Sequence, residues 1–160
     1  MNKFLIVIIL ISIIFSQSFK DLTERPTYNP IKIEKPIIFD GVVDNQEWSK
    51  AQIATNFNGS GTFQGQPSDL RTEARLFYDD KNIYVGFIAY VDKEDLRYSI
   101  TKRDNLDEKD DRVWINIDAF DDEALTYGIG VSAGGVQIDG RATYGFDKSL
   151  DLIYESKVSV

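Results

Sequence analysis

The sequence predicts an all-β domain, an antiparallel β-sandwich of the jelly-roll or immunoglobulin-like kind, and three observations predict it. Short runs alternate apolar and polar residues with a period of two, as strands with one buried face do. Clusters of Gly, Asp, Asn and Pro punctuate those runs at even intervals. Sustained helical periodicity is missing, so alternating β-α units are not expected. At 160 residues the chain is sized for one domain rather than two.

Residues 1–18 read as a secretory signal peptide. Lys3 supplies the basic start, residues 4–15 an apolar run broken only by Ser12, and Ser16, Gln17 and Ser18 a small-x-small cleavage site. That run is shorter than the roughly 20 residues a spanning helix needs, and no basic stop-transfer cluster follows it, so cleavage after Ser18 is favoured over a membrane anchor. Residues 19–30 are polar, carry Pro26 and Pro30 and read as a linker. The sandwich then occupies residues 31–160, and the leader places it in a secreted, periplasmic or outer-membrane-associated setting.

Residues 31–39 are rich in β-branched side chains and suit a strand beginning at an edge or bulge near Pro36. Asp40 and Gly41 turn the chain. Asp44 is placed to cap one helical turn that presents Trp48 and Ala51 inward, and residues 58–70, dense in glycine, are a loop. Residues 72–78 set Thr72, Ala74, Leu76 and Tyr78 on one face against Glu73, Arg75 and Phe77 on the other. Residues 79–82 supply a turn, and residues 83–91 complete a hairpin. Residues 92–109 are highly charged. Val113, Ile115 and Ile117 alternate with Trp114 and Asn116 in a further strand, and residues 127–132 and 136–138 add two more around Gly134 and Gly135. Residues 157–160 alternate like a strand without a turn or cap. An unpaired terminal strand is an aggregation hazard, so the chain is expected to be a fragment of a longer polypeptide.

Composition excludes several functions. The chain has no Cys and no His, which removes disulfide support, the usual zinc ligand sets and Ser-His-Asp or Cys-His catalysis within it. A net charge of −8, with basic residues scattered singly, argues against a nucleic-acid partner. A glycosidase needs only two carboxylates, but among 26 acidic residues nothing singles out a pair with separated pKa values, so catalysis by this chain is not expected.

Sugars bind aromatic faces through their C–H groups and planar polar side chains through their hydroxyls. Trp114 is out of phase with Val113, Ile115 and Ile117, and shares its side with Arg112 and Asn116. It reads either as a sugar platform or as a core residue, since both faces of a sandwich strand can be half buried. Arg103, Asp104, Asp110 and Asp111 either steady a loop or present a bidentate surface to hydroxyls. Trp48 reads as a core anchor.

A resemblance joins these residues. Ile38, Phe39, Asp40 and Gly41, then Glu47, Trp48 and Ala51, resemble the opening of carbohydrate-binding module family 9, with its apolar pair, Asp-Gly and Trp-x-x-Ala. Residues 72–80, ending in Tyr78, Asp79 and Asp80, followed by Ile83, Tyr84 and Val85, are similar to the family's hairpin. Residues 110–118 resemble its acidic approach to a central strand, and residues 135–140 follow in order. The likeness spans roughly residues 33–157, and is closest to modules at the N-terminus of long exported bacterial proteins with a β-rich remainder.

The resemblance implies a polysaccharide-recognition module linked to carbohydrate catabolism, xylan or related plant or algal glycans being the expected partners, with Trp114, Arg103, Asp104, Asp111 and Asn116 as ligand contacts. Asp40, Gly41, Trp48, Tyr78 and Asp79 are its structural motif. Members that clamp a sugar chain end use a Trp before the Asp-x-Val strand, a Glu after that Val and an Arg on the next strand; here Glu108, Trp114 and Gly130 stand in those places. No cofactor is required. The family's structural calcium would find oxygens on Asp118, Asp121, Asp122 and Glu123, which otherwise read as solvated turn acids. The competing expectation is a non-binding sandwich packed on the β-rich remainder.

Overall fold

The structure is a computed structural model that describes residues 26–43, 46–59, 65–122 and 124–160. The leader, most of the linker, Asp44 and Glu123 lie outside the described residues. Seven strands follow one another: β1 Ile31–Lys32, β2 Thr72–Tyr78, β3 Ile83–Ala89, β4 Arg112–Asp118, β5 Thr126–Ser132, β6 Gln137–Ala142 and β7 Phe146–Asp147. They form two sheets, ordered β1-β2-β3 and β4-β5-β6-β7. Every pairing is antiparallel except β1 with β2. The all-β sandwich class read from the alternation is the class the chain adopts.

The β2–β3 hairpin owes its register to Asp79. Its Oδ1 accepts the backbone N–H of Lys81 and of Asn82, each at 2.7 Å, and its Oδ2 accepts the Tyr84 hydroxyl at 2.7 Å. This is an Asx turn, in which a short carboxylate satisfies the donors that a tight reversal leaves free. Those bonds hold the Asp79 carboxyl down at about 2, below its ordinary 3.8, the Tyr84 hydroxyl contributing most. Tyr84 sits opposite Phe77 and Gly86 opposite Arg75.

The face carrying Phe77 is the buried one. Trp48, in a 3-10 turn over Trp48–Lys50, stacks on Phe77 with ring centroids 5.3 Å apart. With Ala51 they form a core joined by Ile33, Ile37, Val43 and Tyr84. Gly86 makes room for it, because a Cβ there would stand 2.8 Å from Val43 Cγ2 and 3.0 Å from Trp48 Cη2. The same face buries two charged residues, Glu73 and Arg75, which pair at 3.3 Å while Arg71 bonds the other Glu73 oxygen at 2.5 Å. The pairing offsets part of the cost of burying both charges, while Arg75 Nε and Nη1 find no hydrogen-bond partner among the described residues.

Two segments differ from the sequence reading. Of residues 31–39 only Ile31 and Lys32 join a ladder, in parallel with Phe77 and Tyr78; Pro36 has no N–H to extend it. Residues 157–160 enter no ladder. The stretch from Asp151 instead runs against β6 by side-chain bonds. The Gln137 Nε2 donates to the Tyr154 carbonyl and Ser156 Oγ at 3.1 Å each. The Ser159 hydroxyl reaches the Gly41 carbonyl at 3.0 Å. Gly41 holds φ 87°, and a Cβ on it would meet Lys157 Cβ at 3.2 Å, so both the turn and the passing chain require glycine there.

Candidate functional site

Trp48 is interior; Trp114 is only half-buried. The ladder pairs Trp114 with Gly130 and Asn116 with Gly128, and pairs Gly128 with Gly140 on the next strand. Cross-strand partners lie on one face, so Gly128 and Gly130 form a floor beneath the indole with Gly140 beside them. A Cβ at Gly128 would stand 2.1 Å from Trp114 Cζ2, and one at Gly130 2.3 Å from Cε3. The ring therefore lies on bare backbone, a close approach that only glycine permits. Phe146, on β7, meets the indole edge-on at 5.4 Å and 63°; its own ring covers Gly140, whose absent Cβ would lie 2.8 Å from Phe146 Cζ.

The Trp114 Nε1 donates to Asn116 Oδ1 at 2.8 Å. That bond fixes the ring in its plane and leaves the Asn116 amide nitrogen, among the described residues, free to donate elsewhere. Asn116 is exposed, as is Arg112 on the same face. The indole is thus flanked on its own face by an exposed amide and an exposed guanidinium, both hydrogen-bond donors.

Arg103 and Asp104 lie elsewhere. They meet Gln137 and Asp139 of β6, which alternate with Ile138 and so face away from the Trp114 side. Arg103 donates to Gln137 Oε1 at 2.9 Å, to the Leu152 carbonyl at 2.8 Å and to Asp139 Oδ1, and its guanidinium lies 5.2 Å from the Tyr154 ring centre. Asp104 Oδ1 accepts the Asp139 N–H at 3.0 Å. Asp139 is fully buried and also accepts the Leu152 N–H at 2.5 Å. Tyr154 donates its hydroxyl to the carbonyls of Gly130 and Ile138, and burial pushes it up to about 12. These bonds tie the 103–104 loop and the 151–156 segment to β6, and of the Arg103 nitrogens only Nε makes no hydrogen bond, lying among carboxylates instead.

Asp111 belongs to a third place. Its Oδ2 accepts the Arg97 N–H at 2.8 Å while its own N–H donates to the Arg97 carbonyl at 2.8 Å. The five ligand contacts expected from sequence thus fall into three groups: Trp114 with Asn116, Arg103 with Asp104, and Asp111 with Arg97. Of the motif residues, Asp40 caps its turn by accepting the Val42 N–H at 2.8 Å, Tyr78 ends β2 half-exposed, and Trp48, Gly41 and Asp79 act as described above. Gly128, Gly130, Gly140 and Phe146 were not singled out as site residues. The i, i+2 glycine pair inside a strand was the available signal, since glycine there marks close approach.

Of the acids expected to suit calcium, Asp118 and Asp122 cap turns, and Glu123 lies outside the described residues. Asp118 Oδ1 accepts the Phe120 N–H at 3.2 Å, and Asp122 Oδ1 accepts the Ala124 N–H at 2.9 Å. Among the described residues the carboxylates that converge are those of Asp104, Asp139 and Asp151, within 4.8 Å of one another. Arg103 lies among them, its Nε 3.7 Å from Asp104 and 3.6 Å from Asp151. That donor set suits the resident guanidinium rather than a metal ion.

Fold and face together define a class: a β-sandwich binding module with an aromatic residue laid on a glycine floor. The chain matches the family described as carbohydrate family 9 binding domain-like over residues 38–159, and it belongs to that family. It is accordingly a carbohydrate-binding module, a binder rather than a catalyst. No curated protein and no solved structure matches the chain. Positions 114 and 130, where sugar-clamping members are expected to carry Glu and Arg, are direct cross-strand partners here. The chain has put an indole and the glycine beneath it where that charged pair would stand.

Proposed function

We propose that the chain is the polysaccharide-recognition module of an exported protein of carbohydrate catabolism, and that Trp114 is its sugar platform. The observation that carries this is the indole laid on Gly128 and Gly130 and held by Asn116. Asn116 and Arg112 flank it with polar groups that address ring hydroxyls. An aromatic platform without a charged clamp favours flat, equatorially substituted pyranoses, as in xylan and related plant or algal glycans, because stacking rewards a continuous C–H face. Export rests on the leader read in residues 1–18. Among the described residues no helix is long and apolar enough to cross a membrane.

A second reading has its own observation. Ile100, Phe120 and Ile153 are largely exposed, and exposed apolar side chains of this size suit contact with a further β-rich domain. One experiment separates the two. Pull-down and calorimetric titration with xylan, cellulose and their oligosaccharides, using wild type and Trp114→Ala, should show binding that the variant loses by at least about tenfold, near 1.4 kcal/mol. Wild-type protein that binds none of a broad glycan array, with folding intact, would leave packing as the role. Sugar release from the polymers would contradict both.

A further inference from the structure

We infer that a groove between the end of the first hairpin and the approach to β4 is a second carbohydrate subsite, separate from the Trp114 platform and suited to a neutral oligosaccharide. The inference rests on the sugar-binding reading above. The groove is an open concavity of about 650 Å³, within the roughly 300–1,000 Å³ of small-molecule sites. Leu70, Tyr90 and Val91 give it an apolar floor, and Asp92, Asp95, Arg97, Lys109 and Asp111 give it polar walls.

Two features make this surface organised rather than merely charged. Tyr90 is held in place: the Arg71 guanidinium lies 4.6 Å from its ring centre, Arg71 is bonded to Glu73, and Glu73 is paired to the buried Arg75. Each link fixes the next, so an aromatic ring stands ready beside the groove without losing much freedom on binding. The Arg97 backbone is tied to Asp111 by two bonds, its N–H to the Asp111 carboxylate and its carbonyl to the Asp111 N–H, which sets the wall while leaving the guanidinium itself uncommitted.

The second feature is what the charged groups do not do. The side-chain heads of Asp92, Asp95, Arg97 and Lys109 form no hydrogen bond or ion pair with the described residues, although both signs line one concavity. The Arg103 cluster shows the contrast, since there an arginine and an aspartate pair directly. Charges of both signs that line one concavity without pairing can be bridged by a group that donates to one and accepts from the other, and a hydroxyl does both. Three carboxylates against two cations give no surplus of positive charge, so a phosphate, sulfate or uronate is disfavoured and an uncharged polyol fits. The Tyr90 ring and Leu70 offer the apolar surface a pyranose C–H face requires.

The test is backbone and indole NMR shift mapping with xylohexaose, cellohexaose and laminarihexaose on wild type, Trp114→Ala, and the double variant Arg97→Ala with Asp95→Ala. These two side chains are exposed and unpaired, so the double variant keeps the fold. The expected result is shift changes at Tyr90, Asp92 and Arg97 that persist in Trp114→Ala and weaken by about tenfold or more in the groove variant. The indole response should remain there. Shifts confined to Trp114, with the groove variant indistinguishable from wild type, would overturn the inference while leaving the platform standing. Shifts at the groove alone would support it and remove the platform. No shift anywhere would defeat the sugar-binding reading first, and the groove with it.

Discussion

Gly128→Ala tests whether the indole truly rests on the backbone of β5. The three heavy atoms nearest to a Cβ at this position all belong to Trp114, at 2.1, 2.8 and 3.1 Å. To reach ordinary carbon contact near 3.5 Å, the ring must lift by about 1.4 Å, enough to strain the Nε1 bond to Asn116. Overpacking of this kind costs about 1–3 kcal/mol. Alanine itself suits the position, since glycine inside a strand is worse than alanine by about 0.5–1 kcal/mol. In a Trp114→Ala background the same substitution should therefore be neutral or stabilising. Urea denaturation of the four proteins of this cycle should give a coupling of about 1–3 kcal/mol with unchanged m-values. Gly128→Ala should also weaken glycan binding although it leaves Trp114 present. Effects that add to within about 0.5 kcal/mol would show that ring and glycine do not touch, and the platform argument would fail.

Other outcomes follow from the same contacts. Because the Asp79 carboxyl is depressed from 3.8 to about 2, its contribution to stability is present above pH 4 and lost as pH falls toward 2. The melting temperature of wild type should exceed that of Asp79→Asn near pH 6, and the gap should close by pH 2; a gap independent of pH would refute the turn's role. Arg103→Leu strands the fully buried Asp139 without its guanidinium and should cost about 3–5 kcal/mol, with Arg103→Leu combined with Asp139→Leu costing less. Equal losses in both, by denaturant titration, would count against a buried ion pair. Tyr154, raised to about 12 from 10.0 by burial, binds its proton more tightly folded than unfolded. Its contribution is whole below pH 10 and declines between pH 10 and 12, so Tyr154→Phe should lack that part of the alkaline loss seen in wild-type melting curves.

Period-two alternation was enough to place β2 through β5, because a strand with one buried face leaves that signature in adjacent residues. The side on which Trp114 falls was equally legible, being fixed by parity with Val113 and Ile115. Asp79 announced its turn through the local chemistry of a short carboxylate. β7 was not legible: Phe146 and Asp147 are two residues whose strand character exists only in their pairing with Ala142 and Arg141. Residues 157–160 misled in the other direction, since alternation without a partner edge makes no ladder.

What the sequence determined by itself was the sandwich class, the family-like order of motifs, the absence of imidazole and thiol chemistry, and the presence of one tryptophan outside the aliphatic face. What only the tertiary structure decided was which residues meet. Arg103 is consumed by Asp139, 36 residues away, and Trp114 is seated by Gly128 and Gly130 across a register that no local pattern specifies. The physical reason is that alternation is written along the chain, while contact depends on strand pairing and loop closure between distant segments. Residues that lie close together along the chain, such as Arg103 and Trp114, are thus divided between opposite faces of one sheet.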